Sequence, residues 1–145
     1  HISGQMKIAP EHTSDEVLHH MGKPGKQSLI EFKKMFDDLN KTSGKKQFLT
    51  YYLIAAHPGC KESHMHELKQ FTTHELKINP EQAQVFTPTP GTYSAVMYYT
   101  ELDPFTKKKI FVEKDTLRKE RQKEIVVAKK SFCKTKQNST FGMQG

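Results

Sequence analysis

QFLTYYLIAAHPGC, residues 47–60, decides the fold. Residues 48–56 carry no charge, and their tyrosines, leucines and isoleucine suit a strand. A strand apolar on both faces belongs in a parallel sheet covered on each side. It stops at His57-Pro58-Gly59, so that loop either turns the chain or faces a ligand.

Working outward, GQMKIAP (4–10) reads as a short first strand ended by proline. In HTSDEVLHHM (12–21), Thr13 and Glu16 have capping-box spacing and Asp15 favours the positive end of a helix. Gly22, Pro24 and Gly25 stop that helix. Ser28 and Glu31 repeat the capping-box spacing, Leu29, Phe32, Phe36 and Leu39 recur at helical steps, and Gly44 ends a second helix. Downstream, a third helix over about 62–77 turns Met65, Leu68, Phe71 and Leu76 to the core, Asn79-Pro80 breaks it, and QAQVFTP (82–88) supplies a third strand.

Strands alternating with helices at these spacings predict right-handed βαβ units and a parallel sheet. Beyond Pro90-Gly91, YSAVMYYTELDP (93–104) reads as a short helix and KKIFVEK (108–114) as a strand or extended arm. Residues 115–130 read as a charged helix with Leu117, Ile125, Val126 and Val127 as its apolar content, and the sequence from Ser131 as a disordered polar tail.

The 145 residues fit one domain but fall short of the ~250 of a complete (β/α)8 barrel. With 34% apolar residues and a mean hydropathy of −0.74, a few segments must supply the core. The absence of a signal peptide or membrane-length apolar run sets a cytoplasmic expectation. Cys60 and Cys133 are too far apart in sequence for a disulfide framework or a closed metal site. A net charge of +7 and a pI near 9.3 raise the question of a polyanionic partner. The bases, however, alternate with acids in KDTLRKERQKE, and otherwise sit in Lys107, Lys108, Lys109 and in Lys129, Lys130, Lys134 and Lys136. A solvated helix face and tail is the favoured reading, nucleic acid the lesser one.

Three predicted strand exits remain: APEH, AAHPG and TPTPG. In parallel α/β architectures ligands lie outside the carboxyl ends of strands. The stretches KIAPEHTSDEVLHHMGKPG, YYLIAAHPGCKESHM and VFTPTPGTYSAVMYYTELDP together resemble, in order and spacing, the later part of the barrel in radical S-adenosylmethionine enzymes. They are most similar to its YgiQ-type group. The resemblance implies α/β architecture: a partial (β/α) barrel of parallel strands with covering helices, plus a charged C-terminal helix and a disordered tail. It implies a barrel part over 1–103, a family-specific extension over 104–130 and a flexible tail over 131–145.

It further implies S-adenosylmethionine and a 4Fe-4S cluster in a full-length parent. The CxxxCxxC cluster loop is absent here, so the chain reads as a C-terminal fragment that binds neither by itself. The missing N-terminal part, an unknown substrate and further copies through an open sheet edge are the expected partners; no membrane is.

On that resemblance Glu11 and His12 meet the ribose and amino-acid end of S-adenosylmethionine, with Lys7 facing the substrate or the cofactor carboxylate. Ile54 and Ala55 form the floor under adenine, and Phe86, Thr87 and Pro88 offer backbone edges to its amino group. Each has a plainer reading: helix cap or solvated loop for Glu11 and His12, ion pair for Lys7, core for Ile54 and Ala55. His57 is the catalytic candidate, able at an ordinary pKa near 6.5 to deliver a proton, against a loop histidine bonded to local backbone. Ala56 stands where many radical enzymes have glycine, and Cys60 where relatives often carry an acid. No metal site follows from His64 and His66 or from His19-His20, whose spacings diverge on a helix. The alternative from another class is a basic α/β module that binds RNA or an acidic partner without chemistry, and a third is a self-associating structural unit.

Overall fold

The computed structural model describes residues 4–128. The tail from Ser131, Cys133 and the lysines at 129, 130, 134 and 136 lie outside them. Strand β1 (Gln5–Glu11) leads through α1 (Asp15–Met21) and α2 (Lys26–Ser43) into β2 (Phe48–Ala55). Then follow α3 (Glu62–His74), β3 (Gln84–Val85), α4 (Tyr93–Thr100) and α5 (Thr116–Val127).

The sheet has the order β1-β2-β3. Both pairings are parallel, Lys7 lying beside Thr50, Glu11 beside Leu53 and Ala55 beside Val85. The described residues are thus α/β, with a three-stranded parallel sheet and five helices, and the sheet they form is not closed.

The core lies on one side of that sheet. Leu53 and Ala55 of β2 join Val17 of α1, Met65 and Leu68 of α3 and Val126 of α5, all essentially inaccessible, with Tyr51 packed alongside. Each such aliphatic side chain contributes roughly 1.5–3 kcal/mol by leaving water. The other β2 face is less covered than a strand apolar on both sides leads one to expect: Phe48 is 57% exposed and Tyr52 and Ile54 are half-buried.

Several local expectations are corrected. Neither capping box forms: Ser14, not Thr13, precedes α1, and α2 starts after Gly25, three residues before Ser28. Asp15 reaches across from α1 instead, its Oδ1 accepting from the Lys26 amide at 2.8 Å. The KKIFVEK segment makes a single antiparallel bridge, Leu102 with Lys109, and otherwise runs as an extended arm. Leu117 is 81% exposed, whereas the polar Gln122 is buried. Among the described residues no helix is long and apolar enough to cross a membrane.

Candidate functional site

Strands β1 and β2 leave the sheet in the same way, each through a left-handed non-glycine residue followed by a histidine. Glu11 has φ 66° after an irregularity in the β1 ladder, and Ala56 has φ 58° directly after β2. Such backbone crowds a Cβ and needs support from its surroundings. A glycine at 56 would carry no such Cβ.

Glu11 Oε1 lies 3.3 Å from Lys23 Nζ, which also donates to the Ala9 carbonyl at 2.9 Å. His12 is 1% exposed rather than a solvated loop residue. Its Nδ1 accepts from the amides of Thr13 and Ser14, both at 2.9 Å, which puts the ring proton on Nε2, 3.7 Å from Cys60 Sγ. Burial, reinforced by His64 and His57, lowers its pKa to about 3. The Thr13 hydroxyl beside it is buried without a hydrogen-bond partner among the described residues.

His57 is 3% exposed. Its Nδ1 lies 2.8 Å from the Pro58 carbonyl, an acceptor only, so Nδ1 carries the proton. Nε2 is left to accept from the Ser94 hydroxyl at 2.8 Å. Burial pulls its pKa down to about 4 despite the opposing Pro58 bond. The ordinary value expected from sequence is thereby corrected: at neutral pH His57 is an uncharged acceptor with no proton to deliver from the imidazolium. Cys60 is equally quiet, since burial pushes its thiol up to about 12 and thiolate chemistry needs the anion.

Gln122 of α5 reaches this turn. Its Oε1 accepts from the Ala56 amide at 3.1 Å, and its Nε2 donates to the Cys60 carbonyl at 3.5 Å. Strand β3 continues into Phe86, whose amide donates to the Ala55 carbonyl at 2.9 Å and whose ring stands edge-on to His57, 5.0 Å between centroids. Thr87 and Pro88 follow at the same end. Ile54 lies on the barer sheet face, Ala55 in the core, and Lys7 is exposed with its ammonium 5.5 Å from the Tyr52 ring.

Thus the structure brings Glu11, His57 and Phe86–Pro88 to one edge of the sheet, with His12 turned inward below them. Sequence reasoning missed Ser94, Gln122 and Lys23. Ser94 sits two residues after the Thr92 cap and Gln122 among charged residues, so neither spacing nor composition marks them. His64 bonds Lys61 and approaches Glu16, and His66 approaches Glu62.

Fold and turn geometry together define a parallel α/β protein in which Glu11, His57 and Phe86 stand at neighbouring strand exits. Residues 81–143 match the family described as "Domain of unknown function (DUF3362)". The chain is 64% identical over 130 residues to a UPF0313 protein of Fusobacterium nucleatum, covering 90% of this chain and 23% of that protein. It is 45% and 42% identical over 126 residues to UPF0313 proteins of Clostridium botulinum and Clostridium perfringens, covering 87% of this chain and 19% of each. The chain therefore spans about a fifth of the length of these relatives.

Proposed function

We propose that this chain supplies later strand exits of a partial (β/α) barrel in a radical S-adenosylmethionine enzyme of the YgiQ-type group, where its lip meets the nucleoside end of the cofactor. One observation carries the reading: the exits of β1, β2 and β3 are parallel and adjacent, so that Glu11, His57 and Thr87 share an edge. This is the side on which parallel sheets receive ligands.

The described residues do not fit an iron–sulfur cluster. Cys60 is the only described cysteine, it is buried as a thiol, and no described group of three or more His, Cys, Asp or Glu could hold a metal. Cluster ligands would come from the rest of a longer protein.

The nucleoside suits the lip better. Ile54 offers an apolar floor on the barer face, and backbone groups at Phe86, Thr87 and Pro88 can read a purine edge. The Glu11 carboxylate, partly exposed beside Lys23, can accept from ribose hydroxyls. Lys7 extends from the same face. Ala55, His12 and neutral His57 serve by shape and by keeping the turns in place.

The test uses a protein of the relatives' length that carries this chain, purified and reconstituted without oxygen. It should release 5′-deoxyadenosine from S-adenosylmethionine, and substituting Glu11→Ala should raise the S-adenosylmethionine concentration needed. A reconstituted protein that releases none sinks the reading.

A further inference from the structure

The turn at residues 56–60 is almost wholly inaccessible, yet its own groups satisfy only part of its hydrogen bonding. Inside the turn Cys60 N–H is closed to the His57 carbonyl and His57 Nδ1 to the Pro58 carbonyl, and the Cys60 sulfur stands against the Ala56 amide as a weak acceptor. Other polar groups of the turn reach out of it: the Cys60 sulfur lies 3.7 Å from His12 Nε2, back along the chain, while the two backbone amides and the His57 ring find their partners downstream. The Ala56 amide goes to Gln122 Oε1 at 3.1 Å, the Gly59 amide to the Phe111 carbonyl at 2.7 Å, and His57 Nε2 to Ser94 Oγ at 2.8 Å. Ser94, Phe111 and Gln122 belong to three separate segments, namely α4, the extended arm and α5. All three lie within the residues that match the domain of unknown function.

From this we infer that the C-terminal region 94–122 is a clasp that builds and fixes the β2-exit turn, so that the domain of unknown function works as part of the site. The physical need is plain. A buried amide left without an acceptor is penalised by its whole desolvation cost, and Ala56 and Gly59 both stand in left-handed backbone at φ 58° and 87°. Without the clasp the turn would open to find water, and His57 would lose the partner that orients its ring. Gln122 is suited to the task because one amide side chain both accepts and donates. Gln122, Ser94 and the Phe111 carbonyl are positioning groups. The clasp stands on geometry alone, while its bearing on the nucleoside rests on the function proposed above.

Amide hydrogen exchange on this chain, read residue by residue by NMR, tests it. In Gln122→Met, which keeps the bulk and loses the acceptor, the Ala56 amide should exchange roughly 5- to 100-fold faster. The Leu68 amide, in the α3 core, should change far less. Gln122→Glu, which retains an acceptor, should restore protection at Ala56. In Ser94→Ala the ring-nitrogen shift of His57 Nε2 should move, with the Ala56 amide still protected. An Ala56 amide that is unprotected in the unaltered chain, or that speeds up only in step with Leu68, overturns the clasp. In the reconstituted longer protein, Gln122→Met should raise the S-adenosylmethionine requirement several-fold at unchanged iron content. If the unaltered longer protein releases no 5′-deoxyadenosine while the exchange pattern holds, the cofactor reading falls and the clasp stands.

Discussion

His12 and His57 place an acid sensitivity in the strand exits. In the unfolded chain each titrates near 6.5, while in the fold burial holds them at about 3 and about 4. Between those values the unfolded chain binds more protons, so their contribution is complete above pH 6.5 and is lost as pH falls toward the folded values. Between neutrality and pH 5 each histidine should account for up to about 2 kcal/mol. His12→Asn is the informative variant, because its amide oxygen replaces Nδ1 as acceptor for the Thr13 and Ser14 amides while carrying no titrating ring. Urea midpoints at pH 7 and pH 5 should lie closer together in this variant than in the unaltered chain. An unchanged gap would mean that His12 is not a source of the acid loss. Gly59 makes a second case at this scale. It has φ 87°, and a Cβ there would stand 2.4 Å from His20 Cδ2. Gly59→Ala should cost about 2 kcal/mol or more, combining left-handed strain with overlap. In a His20→Ala background only the overlap is relieved, so a double-mutant cycle by chemical denaturation should recover part of the loss and leave the strain. Full recovery would remove the backbone argument.

The elements carry the clearest division between what residues announce and what tertiary placement decides. At the start of α2, Ser28 has the textural signature of a cap, but the acceptor belongs to Asp15 in α1. Asp15→Ala should therefore lower stability by about 1 kcal/mol in urea denaturation. Ser28→Ala, already inside the helix, should stay within about 0.5 kcal/mol; the reverse order would restore the cap to Ser28. Strand β2 was legible as a continuous apolar run and helix α3 from its helical period, whereas β1, read as ended by proline, runs on through Pro10 to Glu11. Met65 and Leu68 are buried as their spacing predicts, while Phe71 is only partly buried and Leu76 is buried beyond the end of α3. The capping of α2 was not legible, since its partner is eleven residues away and a local box lay nearer. Nor was the role of α5: the pattern promoted Leu117, which is exposed, and passed over Gln122, whose partners Ala56 and Cys60 lie far back in the chain. Of the candidate site, the exits and their two histidines could be read from AAHPG and APEH. The inward turn of the rings depends on left-handed residues at 11 and 56 that no propensity selects, as neither is glycine or asparagine.

Across the whole molecule the covering is one-sided, with β2 packed against α1, α3 and α5 and its other face thinly covered. Phe48 on that face is 57% exposed, and Met35 and Leu39 of α2 are 55% and 60% exposed. Among the described residues no strand lies on the side of β1 away from β2. The relatives are several times longer, so the face and edge have polypeptide to meet in a protein of that size. By itself the chain should bring two such faces together. Sedimentation velocity should give an average mass that rises with concentration, a trend that Phe48→Lys weakens by setting a charge on the barer face and that the exposed, remote Leu117→Lys leaves alone. If the chain stays monomeric throughout, or if Leu117→Lys acts as strongly as Phe48→Lys, the thinly covered face is not what drives association.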